Sequence, residues 1–140
     1  MRSNVRKILL LLFVVIADVS YADGLVIVSL SNPMERLSPQ EIQRIYLKKQ
    51  MQFKDGTIAE PINREETSEI GKKFYEKVIG KTNLEARAYW MRLLFTRGIK
   101  PPIIVNSDKE VLEIVKNNKS AIGFVSEGVD LDSVRVVYSF

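Results

Sequence analysis

The sequence predicts an α/β protein, a three-layer α/β/α sandwich built on a mostly parallel, mixed sheet. Three observations lead there. Short apolar runs rich in β-branched residues recur at Leu25–Leu30, Ile103–Val105, Ala121–Val125 and Val134–Tyr138, and their length is that of buried strands. Between them lie segments whose apolar residues fall one helical turn apart, several opened by a Ser or Thr with Glu three residues later. Strands and helices alternate with no internal repeat, which places helices on both faces of one sheet.

The chain opens with a leader. Arg2, Arg6 and Lys7 precede an unbroken apolar run from Ile8 to Ala17, and Ser20-Tyr21-Ala22 supplies small residues at the two positions a signal peptidase reads. This predicts a signal peptide over residues 1–22, cleaved after Ala22, and one exported domain over residues 23–140, in the periplasm or outside the cell. The apolar run, roughly ten residues, is too short to cross a ~30 Å hydrocarbon core as a helix.

The elements of the exported part follow in order. Leu25–Leu30 is the first strand, ended by Ser31-Asn32-Pro33. Ser38-Pro39-Gln40-Glu41 is a helix start with a cap, a first-turn proline and a capping-box glutamate, and its apolar face is Ile42, Ile45 and Tyr46. Asp55-Gly56 is a turn. Ile58–Ile62 reads as a strand in which Pro61 demands an edge position or a strand end. A polar segment, Asn63–Ser68, leads to a helix with Ile70, Phe74 and Val78 on one face and Gly80 as its stop.

Thr82 and Glu85 open the next helix, whose apolar residues Leu84, Ala88, Met91, Leu94 and Phe95 are expected to face the core, with Trp90 partly to one side and Gly98 at the end. Pro101-Pro102 stiffens the entry to the strand Ile103–Val105. Ser107 and Glu110 begin a helix carrying Val111, Leu112, Ile114 and Val115, broken by Asn117-Asn118-Lys119, and two short strands complete the chain.

Composition narrows the chemistry. The chain has neither Cys nor His, which removes hydrolases of the Ser-His-Asp and Cys-His kinds and the commonest zinc ligand. Nothing points to an enzyme or a cofactor. Half of the net charge of +4 belongs to the leader, so the exported part is too balanced to predict a nucleic-acid surface. Lys48-Lys49 and Lys72-Lys73 are expected to be solvated helix faces.

In a parallel sheet, ligands meet the loops at the C-terminal ends of strands. Three places qualify: Ser31 and Asn32 after the first strand, Arg64, Thr67 and Ser68 after the second, and Asn106 and Ser107 after the third. Free N–H groups at a helix N-terminus, joined by an arginine in the same loop, suit an oxyanion such as phosphate or sulfate. The same Ser, Thr and Asn serve equally as plain helix caps, and Glu65, Glu66 and Glu69 crowd the Arg64 loop with charge that repels an anion. Tyr89 and Trp90 read as packing aromatics before they read as a ligand platform.

Four blocks in sequence resemble the phosphate-type periplasmic substrate-binding proteins that serve ABC transporters. Ser38–Leu47 resembles the family's helix ending in an Ile-Phe/Tyr-Leu segment. Ile62-Asn63-Arg64-Glu65-Glu66-Thr67-Ser68 resembles its phosphate loop. Tyr89-Trp90 with Phe95–Gly98 resembles its tryptophan-to-glycine stretch, and Ala121–Ser126 its late strand. The resemblance implies one lobe of a type II periplasmic binding protein, with Arg64 and Ser68 at binding positions. It also implies a weakened or lost ligand, because Thr67 and Glu69 replace loop glycines and Ile70 replaces a hydroxyl donor. The family proteins clamp their ligand between two lobes, whereas this chain has room for one. The expected roles are therefore an anion-binding accessory protein or a protein-interaction module in an envelope assembly. An ABC permease, another envelope protein or a second copy of the chain are the partners to consider.

Overall fold

The Val- and Ile-rich runs take the extended conformation and the capped segments between them become helices. The computed structural model describes residues 21–140, so the expected signal peptide lies almost wholly outside the described residues. The elements are β1 (Gly24–Ser29), α1 (Pro39–Tyr46), β2 (Glu60–Arg64), α2 (Glu69–Phe74) continued by a π-helical turn (Tyr75–Ile79), α3 (Asn83–Arg97), β3 (Ile103–Val105), α4 (Asp108–Asn117), β4 (Ala121–Ser126) and β5 (Val134–Ser139).

The sheet order is β3-β2-β4-β1-β5. β2 runs parallel to β3 and β4, whereas β1 is antiparallel to both β4 and β5. Every strand but β1 therefore shares one direction. β1 begins where β4 ends, with Gly24 opposite Ser126, and it finishes at the opposite rim.

Alternation along the strands divides the core between the two faces. Val26 and Val28 of β1 and Ile122 and Phe124 of β4 face α1 and α2, where Tyr46, Phe74 and Ile79 are fully buried. Ile27, Ala121 and Val125 face α4, where Val111 and Val115 are fully buried. α4 lies against β4 because residue 123 is glycine: a Cβ there would sit 2.5 Å from Val111 Cγ1. On the other face Phe74 stacks on Phe124 at 3.9 Å between centroids, and Tyr46 meets Phe74 edge-on at 4.7 Å. The Tyr46 hydroxyl lies 2.9 Å from the Ile62 carbonyl and 3.1 Å from that of Ile122. The β2–β4 ladder stops at Pro61 and Ile122. The hydroxyl thus bridges the two strands where their own pairing ends.

The helix starts behave as the sequence implies. Ser38 and Glu41 form a reciprocal capping box, the Glu41 N–H donating to Ser38 Oγ at 3.1 Å and the Ser38 N–H to Glu41 Oε2 at 2.9 Å. Ile70, Phe74 and Val78 are buried together. The helix they share loosens into a π turn, closed by the Gly80 N–H donating to Tyr75 O. The extra residue in that turn brings Tyr75 and Ile79 inward beside Phe74 and Val78.

Two expectations need correction. β2 begins at Glu60, two residues later than expected, and Ile58 is exposed and joined to Gln52 by an isolated bridge. Asp55 holds Thr57 through both its N–H and its hydroxyl, which extends the turn at the expense of the strand. Pro61 sits next to the strand's start, before the pairing with β3 begins at Ile62, so its missing N–H costs no ladder bond on that side. In α3 the buried stripe is Ala86 and Trp90, with Tyr89 half-buried, while Leu84, Ala88, Met91, Leu94 and Phe95 are exposed. Two contacts outside the apolar pattern set this rotation: the Tyr89 hydroxyl donates to Leu47 O at 2.7 Å, and Asn83 Nδ2 to Glu66 O at 3.0 Å.

Phe74→Ala should cost about 3–5 kcal/mol in urea unfolding, because it removes the ring that both Tyr46 and Phe124 pack against. Burial, then the nearby Tyr75, pushes the Tyr46 phenol well above its usual value of 10.0. The folded state therefore binds this proton more tightly than the unfolded chain. Its contribution is intact below about pH 10 and declines as the pH climbs beyond it. Alkaline denaturation followed by circular dichroism should show this loss, and Tyr46→Phe should flatten it.

Candidate functional site

β2, β3 and β4 all end on the same rim of the sheet, and β1 begins there. The last residue of β2, Arg64, turns its side chain inward and is only 7% exposed. Its Nη1 donates to Asp108 Oδ1 at 2.5 Å, and the same oxygen accepts the Ser126 N–H at 3.2 Å. Asp108 is the first residue of α4, where a carboxylate also complements the helix dipole. One carboxylate thus fastens the ends of β2 and β4 to the start of a helix and neutralises the arginine.

The hydroxyls expected to meet an anion are engaged locally. Ser68 Oγ accepts the Gly71 N–H at 3.1 Å and donates to Glu65 O at 2.6 Å. The loop closes this tightly because residue 71 lacks a side chain: a Cβ there would fall 2.4 Å from Glu65 O. Ser107 Oγ accepts the Glu110 N–H at 3.1 Å, and Glu110 reaches back to the Asn106 N–H at 3.3 Å. Thr67 is exposed on the loop, and Glu66 forms an ion pair with Arg87 of α3.

Arg64, Thr67, Ser68, Asn106 and Ser107 therefore share one rim, whereas Ser31 and Asn32 lie at the other. The cause is the reversed β1, whose C-terminal end faces the N-terminal ends of its neighbours. The three candidate loops therefore do not form one site. Asn32 is fully buried there and structural: its Nδ2 donates to Lys119 O at 2.8 Å, its Oδ1 accepts the Met34 N–H at 2.8 Å, and its carbonyl accepts from Arg135 at 2.7 Å. The exposed Ser31 donates its N–H to Ser29 Oγ at 3.2 Å.

Beside the Arg64 rim, under α3, lies a cleft of about 590 Å³. Its polar side runs from Asn63 to Thr67 and includes Tyr75, Asn83 and Arg87, and Ala86, Trp90, Met91, Pro101, Pro102 and Ile104 form its apolar walls. Asn63 is oriented from both ends, its Nδ2 donating to the Tyr75 hydroxyl at 2.5 Å and its Oδ1 accepting the Arg64 N–H at 2.9 Å. Burial raises the Tyr75 phenol above 10.0, and the Asn63 and Trp90 N–H groups work against that rise. Sequence reasoning missed the Asp108 and Asn63–Tyr75 partners, since nothing in the chain's spacing ties residue 63 to 75 or residue 64 to 108. Among the described residues no group of three or more Asp or Glu gathers in a way that could hold a metal ion.

The arrangement defines a class: a single α/β/α lobe whose mixed sheet presents an arginine loop at the C-terminal ends of its parallel strands. Solved structures share this architecture. The chain is similar to an ABC-type phosphate transport receptor from Vibrio cholerae (TM-score 0.65, 24% identity, covering 83% of this chain and 45% of that one). It is also similar to a protein from Clostridium perfringens described as a phosphate ABC transporter substrate-binding protein and solved with phosphate bound (TM-score 0.64, 25% identity, 84% and 45%). A third similar structure is PstS from Borrelia burgdorferi (TM-score 0.64, 18% identity, 84% and 47%). The chain thus spans less than half the length of each. No protein-family model and no curated protein matches it.

Asp108→Ala should destabilise the fold by about 3 kcal/mol, because it leaves the Arg64 guanidinium buried without its counter-charge. Replacing Arg64 and Asp108 together by leucine should restore most of that loss, as measured by urea midpoints at equal m-value.

Proposed function

We propose that this chain acts outside the cytoplasm as a single-lobe, binding-protein-like accessory protein whose Arg64–Ser68 loop holds phosphate or sulfate weakly or not at all. The likeness to phosphate receptors supports the fold and the exported setting. The pairing of Arg64 with Asp108 carries the reading of weak binding. A bound oxyanion would have to share an arginine already engaged at 2.5 Å, in a loop where the Ser68 hydroxyl is committed as a cap and Glu65 and Glu69 add repulsion. A single lobe also leaves one side of the anion in water, where charge-assisted hydrogen bonds are weakest.

Isothermal calorimetry with phosphate and with sulfate tests this reading. Dissociation constants of about 1 mM or weaker are expected, which is roughly 4 kcal/mol of binding at most. Asp108→Asn should strengthen the interaction by freeing Arg64 at unchanged side-chain volume. Micromolar binding by the unaltered protein, lost in Arg64→Ala, would contradict it.

One observation favours a second reading, a protein-interaction module. α3 presents Leu84, Met91, Leu94 and Phe95 to solvent, with Phe95 81% exposed, and the edge strand β3 leaves Ile103 and Ile104 exposed as well. Apolar surface gathered in this way marks contact faces more often than solvated ones. A permease, another envelope protein or a second copy of the chain could cover it. Sedimentation should show concentration-dependent association that Phe95→Asp reduces. A monomer at every concentration would remove self-association from this reading and leave only a different protein as the partner.

A further inference from the structure

The side of α3 that faces away from the domain is apolar. Ala86 and Trp90 are the buried residues of this helix, and Leu84, Ala88, Met91 and Phe95 lie opposite them, all exposed. Their spacing of four, three and four residues sets them in one row along the helix, roughly 16 Å long. Cations gather beside this row. Lys81 Nζ lies 5.3 Å and Arg92 Cζ 5.7 Å from the centre of the Tyr89 ring. Arg92 is one turn from both Ala88 and Phe95, and Arg97 and Lys100 follow at the end of the helix. The Tyr89 hydroxyl donates to Leu47 O, so Lys48 and Lys49 come from the stretch of chain that touches α3. Among the described residues none of these cations forms an ion pair. Glu85 is the only carboxylate of α3.

Charge and shape together indicate what covers the row. An apolar ridge edged by unpaired cations complements a surface that is negative at its top and apolar beneath, which is the layering of an anionic lipid bilayer. A second copy would set one net positive face against another. The end residues of the row, Leu84 and Phe95, are 76% and 81% exposed and stand out from the helix. Headgroups part to receive such side chains, whereas a folded protein needs a groove cut to fit them. No helix among the described residues is long and apolar enough to cross a membrane, so the contact is with the surface. We propose that α3 docks the domain on an anionic lipid surface, with Leu84, Met91 and Phe95 among the upper acyl chains and Lys81, Arg92 and Arg97 on the lipid phosphates. The proposal rests on the same exposed face as the interaction reading and gives it a lipid in place of a protein. It does not depend on whether the Arg64 loop binds phosphate.

Vesicle flotation of residues 23–140, which contain every described element, tests this. The protein should float with vesicles of equal parts phosphatidylglycerol and phosphatidylcholine, and at least roughly tenfold less with phosphatidylcholine alone. Raising the ionic strength from about 0.01 M to 0.15 M shortens the screening length from roughly 30 Å to 8 Å and should weaken the binding. Phe95→Ser should reduce it by roughly tenfold or more, and Arg92→Gln by about fivefold. Both positions are exposed, so the circular dichroism spectrum should stay intact. Lys109→Gln removes an unpaired charge from α4, which packs on the other face of the sheet, and should change nothing. No flotation with the anionic vesicles would overturn the proposal. So would flotation that ignores both Phe95→Ser and Arg92→Gln, or that Lys109→Gln reduces equally. Binding to soluble polyglutamate in place of vesicles would assign the cations to an acidic chain and overturn it too. Self-association in sedimentation without vesicles, joined to no flotation, would remove the lipid and leave the interaction reading standing.

Discussion

The contact between Arg64 and Asp108 sets the character of the functional rim. It joins the end of β2 to the first turn of α4, and through the Ser126 N–H it includes the end of β4. An arginine at the end of a parallel strand, beside a helix N-terminus, is by itself an anion-binding arrangement. The carboxylate on its inner side changes the sign of that statement. The cation becomes part of the framework, and the loop behind it closes on its own caps. The position of the arginine favours an anion, and the partner of that charge disfavours one.

The sheet supplies the second constraint. Because β1 alone runs against its neighbours, the two rims are chemically different. One gathers the ends of β2, β3 and β4 with the helix starts that follow them. The other is closed by Asn32, whose side chain and carbonyl tie together the approaches to β4 and β5. Tyr46 holds β2 to β4 from one face while Gly123 lets α4 press on β4 from the other, so the rim that carries Arg64 rests on a rigid centre.

Much of this was legible in the sequence, for definite reasons. β-branched runs report burial on both faces, and Ser38, Thr82 and Ser107 announce helix starts because their hydroxyls satisfy N–H groups three residues on. Three strand–helix units followed by two strands suffice to imply a three-layer fold. The direction of β1 was not legible, since a strand's pattern of apolar residues is the same read either way along the sheet. That hidden fact is what separated Ser31 and Asn32 from the other candidates. The rotation of α3 was equally hidden: its apolar residues lie nearly all round the helix, so polar contacts at Asn83 and Tyr89 decide which stripe is buried. The partners of Arg64 and Asn63 are remote in sequence, and long-range polar pairing leaves no periodic trace.

Asp108 already satisfies Arg64 as a cation, in the absence of any ligand. Side-chain ¹H–¹⁵N NMR of the Arg64 guanidinium during a phosphate titration tests it most directly. A slowly rotating guanidinium held by Asp108 is expected, with an Nε–H resonance that phosphate leaves in place. A saturable shift of that resonance with phosphate, together with release of the Asp108 contact, would contradict it.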